Sequence, residues 1–356
     1  MKVVIDARFY GIAHTGIGRY VENLIKYLPD TATLIVHPAD YQRPELSKFP
    51  KFISHTHPYS LLSQFEIPYL LFKIKPDLVH IPYSSIPIFW PGKIVVTFHD
   101  LIKHVSKGSD TTTHHKLIYW LKYYAYLAID FISAKKASAI ITPTKYWQGI
   151  IRAKYKIKNV FVTYEAVEND FIKAKLRKIS DLKTPFLVHT GNLYPHKNIK
   201  LVFDAVKNLP IYLYLICARS VFVQRAEDEI KKQNLQNKVI FLGRLSDSEV
   251  KDVYSRALAL VFPSKVEGFG LNGLEAMSVG LPVISSNASC LPEVYGKAAL
   301  YFDPDSSADL QKQVLQLIKD PKLRSRLISD GLQQVKKYSW AKMAKETWTI
   351  YQSVSL

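Results

Sequence analysis

Only two cysteines, Cys217 and Cys290, occur in 356 residues, far apart and without metal-binding or redox spacing around them. Nothing in the chain calls for disulfides, and a reducing, cytoplasmic compartment is expected. No apolar run is long and clean enough to cross a bilayer. The nearest, LIYWLKYYAYLAIDFISA over residues 117–134, is interrupted by Lys122 and Asp130 and is rich in tyrosine. It reads as a mostly buried or interfacial helix. The opening MKVVIDARFY has no apolar core followed by a small-residue cleavage site, so no signal peptide is expected. Acid is scarce: 30 Asp and Glu stand against 48 Lys and Arg, a net charge of +18. Such a surplus favours anionic partners. Nucleic acid is not expected among them, because neither an arginine-rich stripe nor a known reading motif is present. Lysines set among aromatics, as in KLIYWLKYYAY and IIRAKYKIKNVF, fit the anionic face of a membrane better. A solvated lysine-rich surface with no partner is the plain alternative.

What is present is a run of short apolar strands alternating with longer helical patterns, the signature of parallel β-α-β layers. KVVIDA, ATLIVH, DLVHIPY, KIVVTFHD and ASAIITPT read as strands of one sheet. The polar, basic segment ENDFIKAKLRKISDLKT reads as a linker, after which strands restart with PFLVHTGN. IYLYLICA, KVIFLGR, ALALVFPS, LPVISS and AALYFD follow as a second series. The fold class expected is α/β, with two β-α-β domains of parallel strands facing each other across a cleft. The expected divisions are residues 1–170, residues 171–338, and a C-terminal helix over residues 339–356 that packs back on the first domain.

Two glycine-rich stretches carry the chemistry. In GIAHTGIGRY, directly after the first strand, Gly11 and Gly16 match half of a P-loop, but Ile17 and Gly18 stand where Lys and Ser or Thr are required. The spacing is also wrong for the dinucleotide fingerprint. What survives is a helix N-terminus whose backbone N–H groups, with Arg19, can face a phosphate, or simply a tight strand-to-helix turn. In SKVEGFGLNGLEAMSVGLPVISS, a helix is expected to begin near Asn272 and stop at Gly280. Asn272 with Glu275 three residues on has the form of a capping box. A cap does not need Glu267, Gly268 and Gly270; a diphosphate at the helix N-terminus would explain the glycines. Glu275 and Glu267 would then accept bonds from ribose and sugar hydroxyls.

The stretch EGFGLNGLEAMSVGLPVISSNASCLPEVYGKAALYFDP resembles the donor-site signature of the family 4 (group 1) retaining glycosyltransferases. The likeness extends to DARFYGIAHTGIGRYVENL, VVTFHDL, HTGNLYPHKN and GRLSDSEVKDVYSRALALVFPS, covering nearly the whole chain. It implies a GT-B fold of two Rossmann-like domains and a nucleotide-sugar donor held mainly by the C-terminal domain. By motif, Glu275 is the ribose-binding glutamate, Glu267 the glutamate at the donor sugar, and Lys197 the lysine that neutralises the diphosphate. Gly268, Phe269, Gly270 and Leu271 form the backbone cradle. His99 is the acceptor-side histidine, and Gly16, Gly18 and Arg19 lie opposite the diphosphate. Three positions depart from the pattern: His196 and Asn192 stand where arginine is frequent, and Asn272 replaces a proline. Arg244 or Arg19 is then the candidate for a second cation.

Glycosyl transfer needs a stabilised diphosphate leaving group, tolerance of an oxocarbenium-like state and an acceptor hydroxyl held close. Lys197, the helix dipole and backbone N–H groups serve the first need. No cofactor and no metal are expected, since there is no D-x-D in a suitable loop. For His99, acceptor positioning is favoured over base catalysis, because the leaving phosphate can take the proton. The opening DARFYGIAHTGIGRY together with PHKN resembles bacterial mannosyl- and related transferases of polysaccharide assembly. It suggests GDP-mannose as donor, UDP-sugars next, and a glycan or lipid-linked acceptor, at the membrane's inner face. The rival readings are a nucleotide-sugar epimerase of the same fold, an inactive nucleotide-sugar binder and a nucleic-acid-binding protein.

Overall fold

A computed structural model describes residues 1–11, 15–108, 115–218 and 220–355. Two compact units emerge. The N-terminal one contains the described residues of Met1–Leu101, His115–Glu165 and Ser339–Leu356; the C-terminal one contains those of Ile102–His114 and Ala166–Tyr338.

The strands of the N-terminal unit are β1 (Val3–Asp6), β2 (Thr33–Val36), β3 (Lys51–Ile53), β4 (Leu78–Ile81), β5 (Ile94–Thr97), β6 (Ala139–Thr142) and β7 (Val160–Val162). Those of the C-terminal unit are β8 (Phe186–Thr190), β9 (Tyr212–Ile216), β10 (Val239–Gly243), β11 (Ala259–Phe262), β12 (Val283–Ser286) and β13 (Ala299–Phe302). The first helices are α1 (Thr15–Lys26), α2 (Ser63–Ile74), α3 (Ile102–Val105), α4 (Lys116–Lys136) and α5 (Lys145–Tyr155). Next come α6 (Asn169–Lys173), α7 (Ile199–Val206), α8 (Val221–Lys232), α9 (Asp247–Arg256) and α10 (Leu271–Ser278). The last are α11 (Leu291–Tyr295), α12 (Ser307–Lys319), α13 (Pro321–Val335) and α14 (Trp340–Ser355).

Both sheets are wholly parallel. Their strand orders are β3-β2-β1-β4-β5-β6-β7 and β10-β9-β8-β11-β12-β13. Most central strands are Val- and Ile-rich and buried along their length, as parallel strands covered on both faces must be. Each order reverses once, between β1 and β4 and between β8 and β11, the arrangement of a doubly wound Rossmann-type sheet. The fold class is therefore the expected one. The core of the C-terminal unit gathers Leu187, Leu213, Leu215, Val261 and Ile284 from the sheet with Val202, Phe203, Val206 and Leu310 from α7 and α12. In the N-terminal unit α14 packs on the core: Trp340 lies 6.5 Å from Tyr20 of α1, and the Tyr351 hydroxyl bonds to His80 Nδ1.

Three local expectations change. Strand β3 has no counterpart in the sequence reading; it is a three-residue edge strand whose Phe52 and Ile53 remain exposed, so no burial pattern marks it. The basic segment read as a linker lies against α9. Arg177 N–H donates to the Ser248 carbonyl, Ile179 N–H to Asp252, and Lys251 Nζ to the carbonyls of Ile172 and Ala174. Finally, of the two readings of α4, mostly buried or interfacial, the first does not hold: Leu117, Leu121, Tyr124 and Phe131 are exposed, and only its C-terminal third buries Asp130, Ser133 and Ala134. Among the described residues no helix is long and apolar enough to cross a membrane.

Candidate active site

In a doubly wound sheet ligands bind beyond the carboxyl ends of the strands where the order reverses. In the C-terminal unit these are the loops after β8 and β11. The first ends in the turn Pro195–Lys197, and Lys197 Nζ sits 2.6 Å from Glu267 Oε1 in the second. The two loops are clamped together. Lys265 N–H donates to the His196 carbonyl at 2.8 Å, and Asn198 Nδ2 donates to the carbonyls of Pro263 and Pro304. Asn198 holds φ 56°, a left-handed conformation that asparagine tolerates better than most residues. Taking two charges out of water offsets most of their attraction, so such a pair adds little to stability. It does present a held ammonium and carboxylate to a ligand.

The glycine-rich turn has a reason the sequence did not disclose. Gly270 is the N-cap of α10 at φ 100°, and a side chain there would meet the Tyr295 hydroxyl at 2.6 Å. At Gly273 a Cβ would lie 2.3 Å from the same ring. Tyr295, fully buried in α11, donates to the Gly270 carbonyl at 2.7 Å. Cys290 Sγ donates to the Glu267 carbonyl at 3.2 Å, and Glu267 N–H donates to Ser289 Oγ. Ser289, Cys290 and Tyr295 thus brace the turn that carries Glu267. The sequence reading missed them, because their partners lie about two dozen residues upstream. The expected capping box is absent: Asn272 is inside α10, and its Nδ2 reaches the Thr190 carbonyl at 3.2 Å. The residue that opens the helix must adopt φ 100°, which glycine supplies. A capping box does occur at Ser246 and Glu249 of α9. Phe269 and Glu275 are buried, Gly268 and Leu271 half-buried.

In the N-terminal unit His99 follows β5, one strand beyond the reversal. Its Nδ1 lies 3.3 Å from Glu165 Oε1, its Nε2 lies 3.0 Å from the Pro82 carbonyl, and its ring stands edge-on to Tyr20. Burial acts to lower the His99 pKa, but the hydrogen bond and charge of Glu165 outweigh it and the net direction is up. With an oxygen acceptor at each nitrogen, the ring is assigned as a doubly protonated imidazolium. Gly16 and Gly18 lie in the first turn of α1 with Arg19 just after, and the glycine at positive φ before the helix is Gly11 at φ 95°. The intervening residues 12–14 lie outside the described residues. Asp6 at the end of β1 and Arg8 just after it are buried and mutually satisfied. Arg8 Nη2 is 2.6 Å from Asp6 Oδ2 and donates to Tyr83, while Nη1 donates to Thr56 and Ser63. Desolvation pulls the Arg8 pKa down, yet Asp6 and Tyr83 together hold it above its ordinary value.

Two family models match the chain in sequence. The model described as glycosyl transferases group 1 matches residues 170–334, and that of glycosyltransferase family 4 matches residues 14–171. The chain belongs to the group 1 glycosyltransferases. It is 27% identical to a glycosyltransferase of Methanocaldococcus jannaschii described as uncharacterized, over 100% of this chain and 99% of that one. It is 26% identical to O-antigen chain mannosyltransferase B of Escherichia coli, over 99% of both chains. Among solved structures, sucrose-phosphate synthase from Thermosynechococcus elongatus superposes with a TM-score of 0.79 at 18% identity, covering 99% of both chains. HepE from Anabaena, crystallised with UDP and glucose, gives 0.73 at 16% identity over 99% of this chain and 100% of that one. The two-domain fold is accordingly GT-B, and the protein is a transferase enzyme.

Within this transferase the expected donor residues do not all converge. Lys197, Glu267, Gly268 and Gly270 come together between β8 and β11. Asn192 is exposed in the same first loop, whereas Arg244 is exposed after β10, which β9 separates from β8. His196, at a position where arginine was expected, is pushed down to about 4 by burial and by the adjacent Lys197 charge, so it is neutral near pH 7. Lys265 pairs with Asp305 instead. Among the described residues of these loops, the positive charge beside Glu267 comes from Lys197. His189 in β8 is likewise lowered to about 4 by burial. Among the described residues no group of three or more His, Cys, Asp or Glu side chains is arranged to hold a metal ion.

Proposed function

We propose that this glycosyltransferase moves mannose, with retention at the anomeric carbon, from GDP-mannose to a glycan or lipid-linked acceptor. The observation that carries the donor-site assignment is the Lys197–Glu267 pair at 2.6 Å, set where the strand order reverses and ahead of the N-terminus of α10. A departing nucleoside diphosphate gains negative charge, and a held ammonium with a helix N-terminus favours that charge without reorganisation. Lys197 takes the role a divalent cation has elsewhere, so turnover is proposed to need no metal. Glu267 faces the donor sugar, whose anomeric carbon becomes positive as the bond breaks, and the buried Glu275 takes the ribose hydroxyls.

His99 is proposed to position the acceptor. An imidazolium bonded to Glu165 and Pro82 has no lone pair with which to remove a proton. The acceptor's proton then passes to the departing phosphate. Mannose is favoured by the relatives: besides the E. coli protein above, the O-antigen chain mannosyltransferase RfbU of Salmonella typhimurium is 30% identical over 55% of each chain. A UDP-sugar is the second donor reading, favoured by the UDP complexes of the Anabaena structural neighbour. The test is a donor panel in EDTA with mannoside and lipid-linked acceptors, the product's anomeric configuration being read by NMR. Transfer from GDP-mannose with retained configuration is expected. Inversion, or activity lost in EDTA and restored by Mg²⁺, would refute the corresponding part.

A further inference from the structure

We infer that α2, the loop after Ile86 and α4 form a face that docks on an anionic lipid bilayer. Helix α2 is apolar on both sides. Ile67, Leu71 and Ile74 point into the core, while Leu62, just before the helix, and Phe65, Tyr69 and Phe72 recur at helical spacing on the outside. Leu62 and Phe65 are 69% and 65% exposed. A helix of this kind needs an apolar environment on its second side as well. The outer side of α4 continues the pattern with Leu117, Leu121, Tyr124 and Phe131, and Leu121 is 66% exposed.

The C-terminal end of α4 adjoins α2 through the loop after Ile86. Phe65 stacks on Phe89 at 5.5 Å, Gln64 bonds to the backbone of Ile86 and Ile88, and Lys136 of α4 donates to the Ile88 carbonyl. An apolar patch of this extent marks an interaction site rather than scattered exposed side chains.

Charge selects the occupant. The carboxylates of α2 and α4 are turned inward: Asp130 is fully buried, and Glu66 accepts hydrogen bonds from Ser54 and Thr56 and from the backbone of His55 and Thr56. Lys73, Lys122 and Lys135 stay exposed among the aromatics, and neighbouring α5 has Lys145, Arg152 and Lys154 but no acid. Cations with Trp, Tyr, Phe and Leu on one face, and no outward carboxylate, match a layer of anionic headgroups above acyl chains. The residues invoked all lie in the N-terminal unit. The binding is independent of donor identity. It deepens the proposed function by bringing the enzyme to the surface where a lipid-linked acceptor lies.

The experiment is co-sedimentation of the full chain with phosphatidylcholine vesicles, with and without phosphatidylglycerol, at low and high salt. The wild type is compared with Leu62→Gln/Leu121→Gln and with Lys73→Glu/Lys122→Glu. Binding to the anionic vesicles that weakens with salt, and about tenfold or more in each double variant, is expected. No binding to anionic vesicles, or binding that neither variant reduces, overturns the inference. So does a wild-type dimer in light scattering that the leucine variant converts to monomer without any vesicle binding. No sugar donor or acceptor enters the assay, so its failure is distinguishable from failure of the proposed transfer reaction.

Discussion

The Tyr295 hydroxyl donates to the Gly270 carbonyl at 2.7 Å, and the same ring fills the space a side chain at Gly273 would need. Tyr295 is fully buried and cannot swing away. Gly273→Ala should therefore overpack the turn and cost about 1–3 kcal/mol. Gly149→Ala in α5, where a Cβ meets nothing within 4 Å, should instead stabilise by roughly 0.5–1 kcal/mol through helix propensity. Differential scanning fluorimetry separates the two; an unshifted Tm for Gly273→Ala would refute the packing argument.

The buried Asp6–Arg8 pair predicts a structural rather than a catalytic phenotype. Asp6→Asn leaves the Arg8 guanidinium buried without its counter-charge, for which about 3–5 kcal/mol is the usual loss. Urea unfolding followed by tryptophan fluorescence should show a lower midpoint. A variant of wild-type stability but low turnover would move Asp6 into the catalytic machinery.

Most of the fold was legible because parallel strands buried on both faces read as short Val- and Ile-rich runs, as VVID and IVVT do here. Lys197 and Glu267 were legible as residues, but their meeting across 70 positions depends on which strands are neighbours, and that is fixed by the sheet. Tyr295 was invisible for the same reason. Which of the two readings of α4 holds, buried or interfacial, was not legible, because a helix apolar on most sides carries no mark of which side faces water. Asn272 was misread as a cap because the local pattern does not reveal that Gly270 already opens the helix with a positive φ.

His99 should make stability pH-dependent through Glu165. Its folded pKa is raised, so the stabilisation is fully present below the unfolded histidine value of about 6.5 and is lost as pH rises through the folded value. The stability difference between wild type and Glu165→Gln should accordingly be larger at pH 6 than at pH 9. A difference that grows toward pH 9 would contradict the charged-ring assignment.

His189 works in the opposite direction. It is buried and neutral with a folded pKa of about 4, against about 6.5 unfolded, so its contribution is lost as pH falls between those values. About 3 kcal/mol is at stake from this group alone. His189→Leu should flatten the fall in stability between pH 6 and pH 4, whatever it does to the absolute value. An unchanged slope in urea titrations at those pH values would show that the loss arises elsewhere.

The donor-site claim rests most directly on Lys197, and the decisive measurement is kcat for Lys197→Ala at saturating nucleotide-sugar in EDTA. If Lys197 carries the diphosphate charge as it develops, kcat should fall about 10²–10³-fold, with a smaller change in KM. A variant that turns over as fast as wild type would mean that the ion pair with Glu267 only braces two loops.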